Sequence, residues 1–291
     1  MRALLDSGDI IQAPGAFDPL AARLVEEAGF PAVYMTGFGT AASLLGRPDV
    51  GLLGLAEMVD NARRIVAAVD VPVIADADTG YGNAVNVVRT VQEYERAGVA
   101  GLHLEDQVQP KRCGHMVGKQ VVAVGEMVGR IAAAVEARSD PDLVLIARTD
   151  ARAVEGVGAA LDRARAYLAA GADMLFVEAL ERIDEVELVA RELAGVPLLF
   201  NWAEGGRTPA LPYERLVELG YAVVIMPITT LLASTAAMQS ALARIRSAGT
   251  PIPVLASLPA FGTFLEVIGL PEVDAIAARF GAVERPADAG P

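Results

Sequence analysis

Four times along the chain a helix-like segment stops at a glycine, and an apolar run of strand length follows at once. The instances are Glu27-Ala28-Gly29 before 32–35, Arg96-Ala97-Gly98 before 101–104, Ala169-Ala170-Gly171 before 174–177, and Glu218-Leu219-Gly220 before 222–226. Glycine just past a helix end supplies the left-handed backbone that terminates it. Strands that are apolar without interruption are shielded on both faces, as in a parallel sheet. The repeat therefore dictates a strand–helix alternation.

Further strands fit at 10–13, 71–75, 143–147 and 197–200. Helical segments separate them at 18–28, 55–68, 84–97, 124–138, 157–170, 183–194, 212–219 and 229–247. Eight units in one run predict an α/β fold, a (β/α)8 TIM barrel. An open doubly wound sheet is the alternative, but no glycine-rich dinucleotide loop follows the first strand, and Gly80-Tyr81-Gly82 reads as a turn. No low-complexity linker divides residues 1–291, so a single domain is expected. Beyond the eighth helix, 250–283 reads as extra helices and 284–291 as a frayed tail. The apolar side chains Phe261, Phe264, Leu265, Ile268, Val273, Ile276 and Phe280 recur at helical spacing there. Outside a completed barrel they predict packing on another subunit.

Of the 291 residues, 53% are hydrophobic and 21% charged, a globular and soluble composition. A net charge of −13 argues against nucleic acid or an anionic membrane as partner. It leaves room for a small anionic substrate held by local cations. One cysteine excludes an intrachain disulfide and suits a reducing cytosol. The start, Met1 to Asp6, shows no apolar stretch of signal-peptide type. The uncharged run Tyr221 to Ala243 contains Pro227, Thr229, Thr230, Ser234 and Gln239, and is expected to be a strand followed by a buried helix rather than a membrane span.

Active sites of such barrels lie at the C-terminal ends of the strands. Those ends carry Thr36-Gly37-Phe38-Gly39, Asp76 and Asp78, Glu105-Asp106, Arg148-Thr149-Asp150, Glu178 and Asn201. One acid after a strand is commonly a helix cap; acids at most strand ends together point to a site. Asp76, Asp78 and Glu105 are hard oxygen donors suited to Mg2+ or Mn2+, whereas one Cys and two His do not make a zinc site. The Thr36–Gly39 turn can present backbone N–H groups to a carboxylate or phosphate, or be a plain strand-to-helix turn. After Glu105-Asp106, the loop Lys111-Arg112-Cys113-Gly114-His115 flanks a thiol with three potential cations, which would stabilise its thiolate and suit it to acid/base work. The alternative is a solvated basic turn.

Several segments together resemble the isocitrate lyase/phosphoenolpyruvate mutase superfamily: 33–40, Asp76-Ala77-Asp78-Thr79-Gly80-Tyr81-Gly82, 104–107, Lys111 to His115, Ala147 to Ala151, and Glu204 to Pro209. The likeness runs in order from about residue 10 to 245 and is greatest to the branch of 2,3-dimethylmalate lyase, petal death protein and carboxyphosphonoenolpyruvate phosphonomutase. It implies a barrel with C-terminal helices swapped between subunits in a dimer of dimers, Mg2+, and a 2-oxo acid or its enolate as intermediate. It implies metal binding by Asp76 and Asp78, with Asp49 and Glu105 acting through water. Thr36, Gly37, Phe38 and Arg148 would hold the substrate carboxylate. Cys113 and Gly114 would lie in a gating loop with Lys111 and His115, while Glu178, Asn201 and Tyr34 complete the pocket.

Departures bear on the substrate. Leu232 stands where methylisocitrate lyases carry an arginine that grips an extra carboxylate, and a buried leucine there disfavours a tricarboxylate. Trp202 and Ala203 replace the usual residues after the pocket asparagine. The expected activity is Mg2+-dependent C–C cleavage of a substituted malate, a 2-hydroxy diacid, to a 2-oxo acid and a carboxylic acid. Phosphonomutase or 2-oxo acid decarboxylase chemistry on the same site is the alternative, and a non-catalytic barrel the third. A cytoplasmic location is expected.

Overall fold

In the computed structural model, which describes residues 1–281, eight parallel strands close into a barrel in sequential order. They are β1 Ile11–Ala16, β2 Val33–Met35, β3 Val73–Asp76, β4 Gly101–Glu105, β5 Val144–Thr149, β6 Met174–Val177, β7 Leu198–Asn201 and β8 Val223–Met226. The helices are α1 Arg2–Asp6, α2 Pro19–Glu27, α3 Gly37–Leu45, α4 Leu55–Val66, α5 Ala84–Ala97, α6 Val124–Ala137, α7 Arg152–Glu155, α8 Val157–Ala169, α9 Ile183–Glu192, α10 Tyr213–Glu218, α11 Thr229–Ala248, α12 Phe261–Val267 and α13 Leu270–Phe280. Contacts divide the chain into two compact units, one from Met1 to Ser234 that holds the barrel and one from Thr235 onward. The expected tail at 284–291 lies outside the described residues.

The stop glycines behave as their spacing demands: Gly29, Gly98, Gly171 and Gly220 all take φ between 78° and 104°. Side chains of alternate strand residues fill two cores. Inside the barrel sit Ile11, Tyr34, Ile74, Ile146, Phe176, Leu199, Val223 and Ile225; the larger cluster lies between strands and helices. Period-two alternation positions the site. Two residues beyond Tyr34, Ile74, His103, Ile146, Phe176 and Leu199 stand Thr36, Asp76, Glu105, Arg148, Glu178 and Asn201. Six of the eight inward staves thus end in a polar group at one mouth. Parallel register sets Glu105 opposite Arg148 and Asp76 opposite His103.

Two expectations fail here. The uncharged run after Tyr221 is half strand, but α11 has no buried residue, and Leu232 is 46% exposed. Strand β8 is covered on both faces by barrel and shell, whereas an uncharged helix needs a neighbouring surface to become buried. No helix among the described residues is long and apolar enough to cross a membrane.

Candidate active site

A cavity of about 230 Å3 opens at the C-terminal mouth, lined by Tyr34, Thr36, Phe38, Asp49, Asp76, Lys111, Cys113, Gly114, His115, Arg148, Glu178, Asn201 and Glu204, among others. Thr36 is more than a turn residue: it caps the N-terminus of α3, its Oγ1 accepting the Gly39 N–H at 3.2 Å. The first-turn N–H groups of Gly37 and Phe38 have no intrahelical partner, which makes this end an anion cradle. A Cβ on Gly37 would collide with the Asp76 carboxylate, so glycine keeps cradle and acid adjacent.

Arg148 is the electrostatic centre. Its guanidinium lies 3.2 Å from Glu105 Oε2, 3.0 Å from Asp150 Oδ2 and 3.3 Å from Glu178 Oε2, with its Cζ 5.1 Å from the Phe176 ring centroid. Burial opposes the charge on Glu178, but Arg148 and His115 overcome it and hold that carboxyl below its ordinary range. Burial likewise works against Asp76, and His103, Lys111 and Arg148 offset it. Glu105 goes the other way: burial raises its carboxyl well above normal, and its Oε1 is buried without a hydrogen-bond partner. Asp78 is pushed up to about 7 by burial, against the pull of Lys111.

The loop after β4 corrects the expected thiolate. Burial pushes the Cys113 thiol up to about 11, with only the His115 backbone N–H and Arg148 pulling it down. The three flanking side chains are turned elsewhere. Lys111 Nζ lies 2.6 Å from both Asp49 Oδ2 and Asp78 Oδ1, His115 Nε2 lies 3.3 Å from Glu178 Oε1, and Arg112 is exposed. Cys113 is therefore a protonated thiol at neutral pH, an acid rather than a nucleophile.

Leu232 does not line the cavity and is not the buried residue expected, although a leucine offers no charge to an additional carboxylate. Asp106 does not join the mouth either. It faces the shell, where Thr149 Oγ1 (2.7 Å), Tyr167 Oη (2.8 Å), the Asp150 N–H (2.9 Å) and Arg163 donate to it. It ties the end of β5 to α8. Sequence reasoning missed His103, whose Nε2 sits 2.8 Å from Tyr34 Oη inside the barrel. Burial drives this imidazole down to about 4, so it is neutral and acts as a hydrogen-bonding partner of the phenol. A histidine at an inward position of an apolar strand was the available signal. Lys119, buried and paired with Asp150, was also missed.

Around this mouth Asp49, Asp76, Asp78, Glu105, Asp150 and Glu178 outnumber Lys111, Lys119 and Arg148 two to one. Among the described residues no three His, Cys, Asp or Glu side chains converge to cage a metal. The excess of buried carboxylate, the cavity-facing Asp76 and the unpartnered Glu105 oxygen suit a cation that takes one or two carboxylates and fills its shell with water and substrate, as Mg2+ does.

The family described as phosphoenolpyruvate phosphomutase matches residues 1–246. The chain belongs to the isocitrate lyase/phosphoenolpyruvate mutase superfamily. Within it, 2,3-dimethylmalate lyase of Eubacterium barkeri is 48% identical over 273 residues, covering 94% of each chain. A probable 2-methylisocitrate lyase 1 of Corynebacterium glutamicum is 50% identical over 249 residues, 86% of this chain and 81% of that one. Among solved superfamily structures, 2,3-dimethylmalate lyase superposes with a TM-score of 0.93 at 42% identity, over 99% of this chain and 96% of that one. Oxaloacetate acetylhydrolase bound to 3,3-difluorooxalacetate also gives 0.93, at 39% identity over 98% and 97%. Phosphonopyruvate hydrolase in complex with oxalate and Mg2+ gives 0.88, at 36% identity over 96% and 97%.

Proposed function

We propose that this superfamily member is a Mg2+-dependent carbon–carbon lyase that splits a substituted malate-type 2-hydroxy diacid into a 2-oxo acid and a carboxylic acid. The observation that carries the reading is a half-buried, protonated thiol sharing one cavity with an anion cradle, Arg148 and Asp76. The named lyases among its relatives support it.

In this reading the substrate's C1 carboxylate lies on the N–H groups of Gly37 and Phe38, with Arg148 facing the charge. Asp76 and Asp78 would hold Mg2+, with Asp49 and Glu105 close by, and the bound ion would supply Lewis-acid polarisation of the substrate. Tyr34, steadied by neutral His103, keeps its proton because burial and Asp76 raise the phenol far above its ordinary range. The C2 hydroxyl gives its proton to Glu178, the ionised carboxylate in the cavity wall; as the C2–C3 bond breaks, C2 becomes the ketone carbon and the electron pair stays on C3. Cys113 Sγ–H delivers the proton to C3. Glu178, Asn201 and His115 form one hydrogen-bonded wall, Asn201 Nδ2 donating to Glu178 Oε2 at 3.1 Å. Lys111 holds the loop down on Asp49 and Asp78, which keeps water from the carbanion.

The test is a Mg2+-dependent screen of malate analogues with 2-oxo acid detection, run beside oxaloacetate and phosphonopyruvate. Cys113→Ser is expected to bind yet turn over about 10²–10⁴-fold more slowly; wild-type turnover in that variant would refute the role. Chemistry on a 2-oxo acid directly is the second reading, favoured by the likeness to oxaloacetate acetylhydrolase and phosphonopyruvate hydrolase. Turnover of oxaloacetate or phosphonopyruvate in preference to every malate would establish it. We also propose a cytoplasmic homo-oligomer, a dimer of dimers, supported by the single cysteine and by apolar side chains such as Phe261 and Phe280, 77% and 71% exposed.

A further inference from the structure

Lysine is among the residues least often buried, and burial without a partner is costly. Lys119 lies in the loop between β4 and α6, yet it is only 8% exposed. Its Nζ donates to Asp150 Oδ1 at 2.6 Å and also to the carbonyl oxygen of Gly114. Asp150 in turn receives Arg148 Nε at 3.0 Å through Oδ2 and Arg148 Nη2 at 3.3 Å through the Oδ1 it shares with Lys119, and its own N–H is fixed on Asp106. One carboxylate therefore holds both a catalytic-mouth guanidinium and a loop ammonium.

The rest of the loop explains why that ammonium matters. Its neck is pinched where Gln107 pairs with Val121, and the Gln107 side chain bonds both the N–H and the C=O of Arg112. Lys111 anchors the side entering Cys113. On the side leaving Cys113, the Gly114 carbonyl is held by Lys119. Gly114 lies so close to Arg148 and Glu178 that a Cβ there would stand 2.6 Å from Glu178 Cγ. The position of the Cys113–Gly114 peptide over the cavity is thus set from both sides.

We propose that Lys119 is a positioning residue: its ammonium ties the Gly114 carbonyl to Asp150, and so registers the Cys113 thiol against Arg148. It touches no reacting atom, and it acts through the loop backbone. Two features separate it from a merely structural lysine. The charge it meets is the one that also orients Arg148, and the carbonyl it holds is one residue from the thiol. The inference rests on the lyase reading only for its effect on turnover, not for its effect on the loop.

Because Cys113 is the chain's sole cysteine, its alkylation by iodoacetamide reads loop register without any knowledge of the substrate. Lys119→Met in the full chain is expected to react at least about tenfold faster than wild type at equal pH, because losing a buried pair favours local opening. Lys119→Arg, which keeps the charge, should react more slowly than Lys119→Met. Should Lys119→Met fail to fold, Lys119→Gln carries the same comparison. With whichever malate analogue is turned over, kcat should fall about 10²-fold, the scale of an approximately 1 Å misplacement, while KM changes far less. Alkylation at the wild-type rate in a folded Lys119→Met or Lys119→Gln variant would overturn the proposal. Faster alkylation without turnover of any analogue, in wild type or variant, would leave Lys119's positioning role standing and strike the lyase reading instead.

Discussion

The most direct probe of the closed loop is a single methyl group at Gly114. Its backbone φ lies outside the left-handed region, so Gly114→Ala carries no conformational penalty of that kind. The consequence is purely steric. An ideal Cβ would stand 2.6 Å from Glu178 Cγ and 2.7 Å from Glu178 Cδ, with Arg148 Nη2 nearer still. Carbon atoms settle at about 3.5–4.0 Å, so something must move by roughly 1 Å. Glu178 is buried and held by Arg148, Asn201 and His115, which leaves the loop as the softer element. A displacement of that size is worth about 10²-fold in kcat when it misplaces a reacting group. Overpacking by one methyl costs about 1–3 kcal/mol. The assay is initial-rate 2-oxo acid release, with thermal melting on the same preparations. Gly129→Ala is the control: it sits inside α6 with nothing within 4 Å of the added carbon. It should leave kcat alone and gain up to about 1 kcal/mol. A Gly114→Ala variant with wild-type kcat would refute the packing of the loop on Glu178 and Arg148.

Three further outcomes are expected. Since burial moves the Cys113 thiol from 9.0 up to about 11, its alkylation rate should keep climbing about tenfold per pH unit from pH 7 to 10, and a plateau by pH 9 would contradict the protonated-acid role. Excess EDTA should abolish turnover and added Mg2+ restore it, while Asp76→Ala stays folded but inactive at any Mg2+ concentration; full activity in chelator would remove the metal from the mechanism. Light scattering at micromolar concentration should give a multiple of 30.3 kDa, because Phe261, Val273, Ile276 and Phe280 are more than half exposed in the single chain; a monomer would exclude the oligomer.

The barrel was legible because its rule is local. Helix-stopping glycines and strands apolar on both faces repeat in sequence, and α5 is found at 84–97 as its pattern requires. The short helices α1, α3 and α7 were not legible. In α3 the capping residue Thr36 is also the strand-end polar group, so one residue served two readings. The helical second half of 221–243 read as buried because lack of charge was taken for burial. Lack of charge says only that a surface can be covered, and nothing about which chain covers it.

The site divides along a similar line. Residues at strand ends were found because period-two alternation carries an inward stave directly to the mouth: Ile74 leads to Asp76, Phe176 to Glu178, Leu199 to Asn201. Groups whose role depends on what the fold packs against them were misread or missed. His103 and Lys119 were not singled out at all, and Lys111 looked like a neighbour of the thiol. Each is buried, and burial decides both what it meets and how it is charged. Lys111 and His115 are turned to Asp49, Asp78 and Glu178 and Arg112 to solvent, and burial keeps the proton on the thiol. Sequence adjacency predicts a thiolate; three-dimensional packing produces a thiol. That reversal matters for the chemistry, since C–C cleavage leaves an electron pair on carbon that needs a proton, and a thiolate would have none to give.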